Sequence, residues 1–343
     1  MNISILNPAE QPHWDDLLLT ADRATFFHTS AWARVLSESY GYIPLYFTII
    51  ENGKLLGLIP VMEIKSFLTG RRGVSLPFTD MCDPLAEDPE AFEALLKKAA
   101  EYGRQARWKY IEMRGGGTFQ SHQPASAEHF VHCLDLSADE AGVCSNFKPN
   151  IRRNIRKAEK EGVTVTLERS WESVNVFYKL HCGTRRHHGL PPQPWSFFRK
   201  IHEHVIAAGK GFVALARYQN RWAAGAVYAL YRDQAVYKYG ASDRGLQHLR
   251  PNNLVMWEAI RWCCRNGIRA LSFGRTEPEN EGLVHFKRAW GAVEGRLQYH
   301  QLDLRSNRFV GETAGPKTSY AAFKTLPLPM LRLAGYLLYR HVG

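Results

Sequence analysis

No Cys-x-x-Cys pair occurs among the six cysteines, Cys82, Cys133, Cys144, Cys182, Cys263 and Cys264, so neither zinc-site nor thioredoxin spacing is present. In a chain of 343 residues such thiols read as reduced and buried, the pattern of a reducing compartment. No stretch reaches about 18 uninterrupted apolar residues, the length a spanning helix needs. The opening Met1-Asn2-Ile3-Ser4-Ile5-Leu6-Asn7-Pro8 lacks the basic start and long apolar run of a signal peptide. Both absences predict a cytoplasmic protein. Heptad runs are missing as well, which excludes a coiled coil. Acidic residues are the scarce charge: 33 of them against 44 basic ones leave a net +11. That balance favours anionic partners such as phosphates, nucleic acid or acidic lipid headgroups. With 45% hydrophobic and 22% charged residues, the composition is that of a globular chain, and the length suits two domains.

What is present is an internal echo. Tyr46 to Ile50, then Glu51-Asn52-Gly53, then Lys54 to Val61 reads as a hairpin, because Asn-Gly supplies the positive φ of a tight turn. The pattern returns with Phe212 to Ala216, a turn at Tyr218-Gln219-Asn220, and Arg221 to Tyr228. Gly57 and Gly225 stand five residues after the turn asparagine in each copy. Each hairpin is followed by a helical pattern, from about Pro89 to Arg107 and from Pro251 to Gly267, and then by a strand, Tyr110 to Met113 and Ile268 to Phe273. The expected fold class is α/β with mixed sheets, built as a duplicated domain: residues 1–145, residues 146–300, and a tail over 301–343.

Three stretches carry candidate chemistry. From Asn150 to Gly162, Arg152, Arg153, Arg156, Lys157 and Lys160 surround a stripe of Ile151, Ile155 and Ala158. The arginines are either a solvated face or a clamp on phosphates of tRNA, a nucleotide or a lipid diphosphate. Arg185-Arg186-His187-His188 before Pro191-Pro192 reads as an anion-binding loop or a connector. Its histidines lack metal-site spacing, so no metal is expected. Tyr237 and Tyr239 alternate with Lys238 on a strand, which predicts that both face one side of the sheet. Gly274-Arg275 and His285-Phe286-Lys287-Arg288 follow; a Lys287 ammonium there could offset an oxyanion while a tyrosine protonates a leaving group.

With Phe27-His28-Thr29-Ser30-Ala31-Trp32, Asn154 to Val163, Tyr237-Lys238-Tyr239-Gly240-Ala241-Ser242, Phe273-Gly274-Arg275 and Phe286 to Ala292, the chain resembles the FemAB-like branch of the GNAT acyltransferase superfamily. The resemblance implies two GNAT-like domains in tandem. It implies transfer of an acyl or aminoacyl group to an amine of a peptidoglycan, exopolysaccharide or other cell-envelope precursor, with aminoacyl-tRNA or acyl-CoA as donor. By the same resemblance Phe286 and Lys287 line the catalytic channel, Tyr237 or Tyr239 contacts the acceptor, and Arg185 or Arg186 binds its diphosphate. Leu36 stands where the family has a second diphosphate-binding lysine, which argues against a nucleotide-linked muropeptide acceptor. The pyrophosphate loop of CoA-binding relatives is not found; Gly245 to Asn253 occupies its place. Two further readings stand beside this one: an acyl-CoA N-acyltransferase of a small molecule, and a non-catalytic module binding tRNA or another polyanion.

Met330 to Val342 is amphipathic if helical, with Met330, Leu333, Ala334, Leu337, Leu338 and Val342 on one broad face. That face either docks on the protein or meets an anionic membrane surface.

Overall fold

The computed structural model describes residues 1–312 and 321–343. The part of the expected tail between 313 and 320 lies outside the described residues. The chain forms two compact units, the first from Met1–His129, the strands after Arg296 and Leu337–Gly343, the second from Phe130–Gly295 and the helical stretch before Leu337.

Unit 1 opens with β1 (Ile3–Leu6) and α1 (Ser30–Tyr40), which Thr29 caps by accepting from the Trp32 N–H. The meander β2 (Ile43–Glu51), β3 (Lys54–Ser66) and β4 (Gly70–Val74) follows. Asn52 (φ 50°) and Gly53 (φ 74°) form the expected left-handed turn between β2 and β3. After β5 (Leu85–Ala86), α2 (Pro89–Gln105) crosses over, with the Asp88 carboxylate accepting from the Ala91 N–H and Pro89 in the first turn. It delivers β6 (Tyr110–Arg114), which runs parallel to β4. Phe92, Leu95, Leu96 and Ala99 on α2 close over Phe47, Ile49, Ile59 and Val61 of the hairpin.

Unit 2 repeats that plan. It takes β7 (Ala127–Asp135) from Phe130 onward, then α3 (Pro149–Lys160), β8 (Val163–Glu168), α4 (Trp171–His187) and α5 (Trp195–Ile201). The antiparallel meander β9 (Gly211–Tyr218), β10 (Arg221–Tyr231) and β11 (Gln234–Ser242) precedes the crossover helix α6 (Pro251–Arg265). β12 (Ala270–Thr276) then lies parallel to β11 and antiparallel to β7. The sheet order is β7-β12-β11-β10-β9-β8. α7 (Glu281–Ala289) follows β12. β13 (Val293–Asp303), from Arg296 onward, returns to unit 1 against β6, with β14 (Arg308–Val310) beside it. The last helix, α8 (Leu328–Leu338), ends in a turn at Tyr339–His341.

The shared plan is three antiparallel strands, a crossover helix and a parallel strand, so the sequence echo is an echo of topology. The two glycines are not equivalent within it. A Cβ on Gly57 would meet Leu95 of the crossover helix at 2.8 Å, whereas one on Gly225 would meet Leu215 at 2.8 Å and Phe177 of α4 at 3.2 Å. Each lets a helix approach its sheet, but the helices differ in order along the chain.

Candidate active site

The parallel pairing of β11 and β12 is short. It joins Gln234, Ala235 and Val236 to Ala270, Leu271 and Ser272 and then stops, although β11 continues to Ser242 and β12 to Thr276. Beyond Val236 and Ser272 the two strands leave each other's hydrogen bonds.

Both strands are irregular at that point. β12 shifts register against β7 between Ser272 and Arg275, with Gly274 at φ 67° and its N–H on the Ser272 hydroxyl at 3.2 Å. β11 bulges against β10: Val227 pairs with Tyr239 and Tyr228 with Tyr237, leaving Lys238 as the extra residue. The bulge overturns the expectation that both tyrosines share one face, because one inserted residue reverses the alternation. Tyr237 turns toward Tyr228 and Phe273, with ring centroids 5.6 and 6.5 Å away. Tyr239 turns the other way, onto His181, Phe197 and Phe198.

Burial pushes the Tyr237 phenol up to about 12, so at neutral pH it is a proton donor. Its hydroxyl occupies the space over Gly240, where a Cβ would lie 1.7 Å from the oxygen. Only glycine leaves room for this ring position.

Lys287 projects from α7 and is 3% exposed. Its ammonium donates to the carbonyls of Gly274 at 2.8 Å and Arg275 at 3.1 Å. Lys287 therefore grips the irregular end of β12, a buried charge satisfied by backbone dipoles. Phe286 packs beside Trp290 at 6.1 Å and, like Tyr237, borders the unit 2 core. Arg275 has its guanidinium 3.7 Å from the Glu277 carboxylate. Tyr237 and Lys287 thus meet at Phe273–Arg275, with Phe286 beside Lys287 on α7; Tyr239 does not join them.

The remaining predicted residues lie elsewhere. Arg152 bends back to the Ser145 carbonyl at 3.0 Å, while Arg153 and Arg156 are exposed on the outer side of α3. Arg185 folds onto the Pro191 carbonyl at 3.2 Å, and Arg186 is exposed. Near them the protein has a cavity of about 460 Å³, lined by Lys179, Thr184, His187, His188, Trp222 and Arg244 among others. The sequence marked His187 and His188 as neighbours of the loop, but Trp222 and Arg244 join them only through the fold.

Two histidines escaped sequence reasoning. His132 stands opposite the β12 irregularity, fully buried, with Nε2 3.0 Å from Glu294, which also holds Arg288. Burial and the nearby Lys287 charge lower its pKa. His181 lies beneath Tyr239 with Nε2 2.7 Å from the Gln193 amide oxygen, and burial takes it down to about 3. Neither has a spacing signal; each is one position in an ordinary strand or helix pattern.

Residues 145–288 match the family model described as an acetyltransferase (GNAT) domain. That stretch of unit 2 is thus a GNAT-type domain. No curated protein matches the chain in sequence. Among solved structures, it is similar to FemX, with a TM-score of 0.69 and 14% identity over 87% of this chain and 96% of that one. A tandem GNAT protein from the clavulanic acid biosynthesis pathway aligns at TM-score 0.55 and 12% identity, over 88% and 98%. L-PGS from Bacillus licheniformis aligns at TM-score 0.54 and 14% identity, over 98% of both chains. These likenesses give the chain a FemAB-like, tandem-GNAT fold.

Proposed function

We propose that this chain is an acyltransferase that forms an amide on an amine of a cell-envelope or polysaccharide precursor at the cytoplasmic face of the membrane. One observation carries the reading: β11 and β12 part after Val236 and Ser272, and the opening is bordered by Tyr237 and by the Gly274–Arg275 backbone that Lys287 holds. The amine arrives uncharged and attacks the acyl carbonyl, and a tetrahedral oxyanion forms. As it collapses, the C–O or C–S bond breaks and the leaving oxygen or sulfur takes a proton from the Tyr237 hydroxyl, while the proton lost by the amine nitrogen returns to the phenolate oxygen. Lys287 is a positioning residue, fixing the carbonyls and hence the neighbouring N–H groups that an oxyanion would meet. Alignment of the two substrates supplies most of the remaining acceleration.

The donor is an anionic carrier, acyl-CoA or aminoacyl-tRNA, whose phosphates lie where the exposed His248 and Arg250 lead into α6. The acceptor lies on the Tyr239 side, with its anionic end in the cavity of His187, His188 and Arg244. The exposed Arg153, Arg156 and Lys157 of α3 favour a tRNA donor, because they offer a cationic face to a phosphate backbone. The membrane-facing element is taken up below.

The test is amide formation followed by mass spectrometry, with acyl-CoA or aminoacyl-tRNA and a panel of amino sugars and peptidyl amines. The expected result is product from one donor, with kcat reduced about 100-fold in Tyr237→Phe. With a tRNA donor KM rises steeply with salt; with CoA it does not. Tight binding of tRNA without product from either donor would replace the enzyme reading by the polyanion-binding one.

A further inference from the structure

We propose that the β3–β4 hairpin tip and the Leu337–Gly343 segment of unit 1 together form an anchor for an anionic lipid surface. The proposal deepens the envelope reading by naming where the acceptor is met, and it uses none of the catalytic residues.

The tip is Phe67-Leu68, 87% and 59% exposed. Leu337, Leu338 and Val342 are exposed as well, so among the described residues of unit 1 five of the eight large exposed apolar side chains (Met1, Leu19 and Ile43 being the others) fall in these two short segments. Water is a poor environment for such a concentration, and single scattered exposures do not produce it.

The two segments are tied to each other. The Tyr42 hydroxyl donates to the Tyr339 carbonyl at 2.9 Å. Thr69 and Arg72 donate to the His341 carbonyl at 3.0 and 2.9 Å, and Arg72 also reaches the Gly343 oxygen at 3.1 Å. The His341 ring meets the Phe67 ring edge-on at 4.7 Å, and its Nδ1 lies 3.0 Å from the Ser66 hydroxyl. The same hydroxyl accepts from the N–H groups of Leu68 at 3.1 Å and Thr69 at 2.9 Å. The Leu68 and Thr69 N–H groups are therefore satisfied from inside, which a segment entering hydrocarbon requires.

Charge selects the occupant. Lys65, Arg71, Lys109 and Arg340 are exposed around the patch, and neither Ile64–Arg72 nor Leu337–Gly343 contains an aspartate or glutamate. Glu63, just before the tip, is buried and already paired with Lys65 at 3.1 Å. A protruding apolar tip with a cationic fringe fits an anionic lipid surface, where insertion and charge attraction add. A second copy would bring the same cations face to face. No described helix is long and apolar enough to cross a membrane, so attachment here would be peripheral.

The test is co-sedimentation of the full chain with phosphatidylcholine vesicles, with and without phosphatidylglycerol. Wild type should partition onto the anionic vesicles about tenfold more strongly than onto neutral ones. Phe67→Asp/Leu68→Asp should lower that binding about tenfold at an unchanged melting temperature, since both side chains are solvent-exposed. Arg71→Gln/Arg340→Gln should erase the preference for anionic lipid. Equal binding by wild type and the tip variant, or no binding by wild type, overturns the proposal. So does a lipid-independent dimer in sedimentation velocity that the tip variant dissociates. Amide formation on a soluble acceptor without vesicles is measured in parallel. Its failure with vesicle binding intact removes the transferase reading and leaves the anchor; the converse removes only the anchor.

Discussion

At the scale of single residues, Gly240 decides what Tyr237 can do. The phenol oxygen sits where a side chain at 240 would begin, and Gly240 has no left-handed backbone that would forbid alanine by itself. Gly240→Ala should therefore fold and yet swing the Tyr237 ring away from the parting of β11 and β12. We expect its kcat to fall at least as far as that of Tyr237→Phe, about 100-fold, with the melting temperature little changed. Steady-state kinetics on the two variants check this; a Gly240→Ala enzyme with wild-type turnover would remove the Tyr237 hydroxyl from proton transfer. Lys287 answers differently. Truncating it strands two carbonyls, so loss of activity in Lys287→Ala comes mixed with roughly 1–3 kcal/mol of lost stability. The residue types at this site could be read from the sequence, since Phe286-Lys287 and the two tyrosines were marked there. Their facing could not, because a bulge at Lys238 leaves no mark in an alternating pattern.

At the scale of elements, helices and hairpins were legible and their pairing was not. Asn52-Gly53 fixed one turn, Pro89 and Pro251 opened the crossover helices, and the Ile151, Ile155 and Ala158 stripe buried itself as its spacing implied. Of the two readings of the last helix's apolar face, docking on the protein is the one the structure overturns: Met330 and Leu333 are exposed, while Leu331 and Gly335 are buried, with Gly335 closely packed on the Pro192 carbonyl. A hydrophobic stripe shows what water disfavours, but close approach needs a small residue, and that need selected the glycine face. The same argument makes Gly225 testable. A side chain there must displace Leu215 and Phe177, and the Ala214 carbonyl lies 3.3 Å from the first added carbon. Gly225→Val should cost about 1–3 kcal/mol in denaturant unfolding, the usual range for overpacking. A change within about 0.5 kcal/mol would mean that α4 shifts freely over the sheet.

For the whole molecule, buried histidines set the response to acid. His28 and His300 in unit 1, and His132 and His181 in unit 2, are all buried, and burial lowers the pKa of each. The unfolded chain takes up these protons near pH 6.5, while the folded chain takes each up only at a lower pH; for His181 that point is about 3. Protonation therefore favours unfolding. The stability these histidines contribute is fully present above pH 6.5 and is lost as pH falls through the window below it. Each histidine can add up to about 1.4 kcal/mol per pH unit to the slope. Most carboxylates titrate lower, so the interval from pH 6.5 to 5 isolates the histidine contribution. Urea unfolding across that interval should show a steep decline in both units. Replacing His181 by leucine should make the decline shallower by about one proton's worth, even if the variant is less stable at pH 7.5, because slope and level are separate readouts. An unchanged slope in that variant would mean that His181 takes up its proton in the folded protein near its ordinary pKa, and that the Gln193 bond does not depend on a neutral ring.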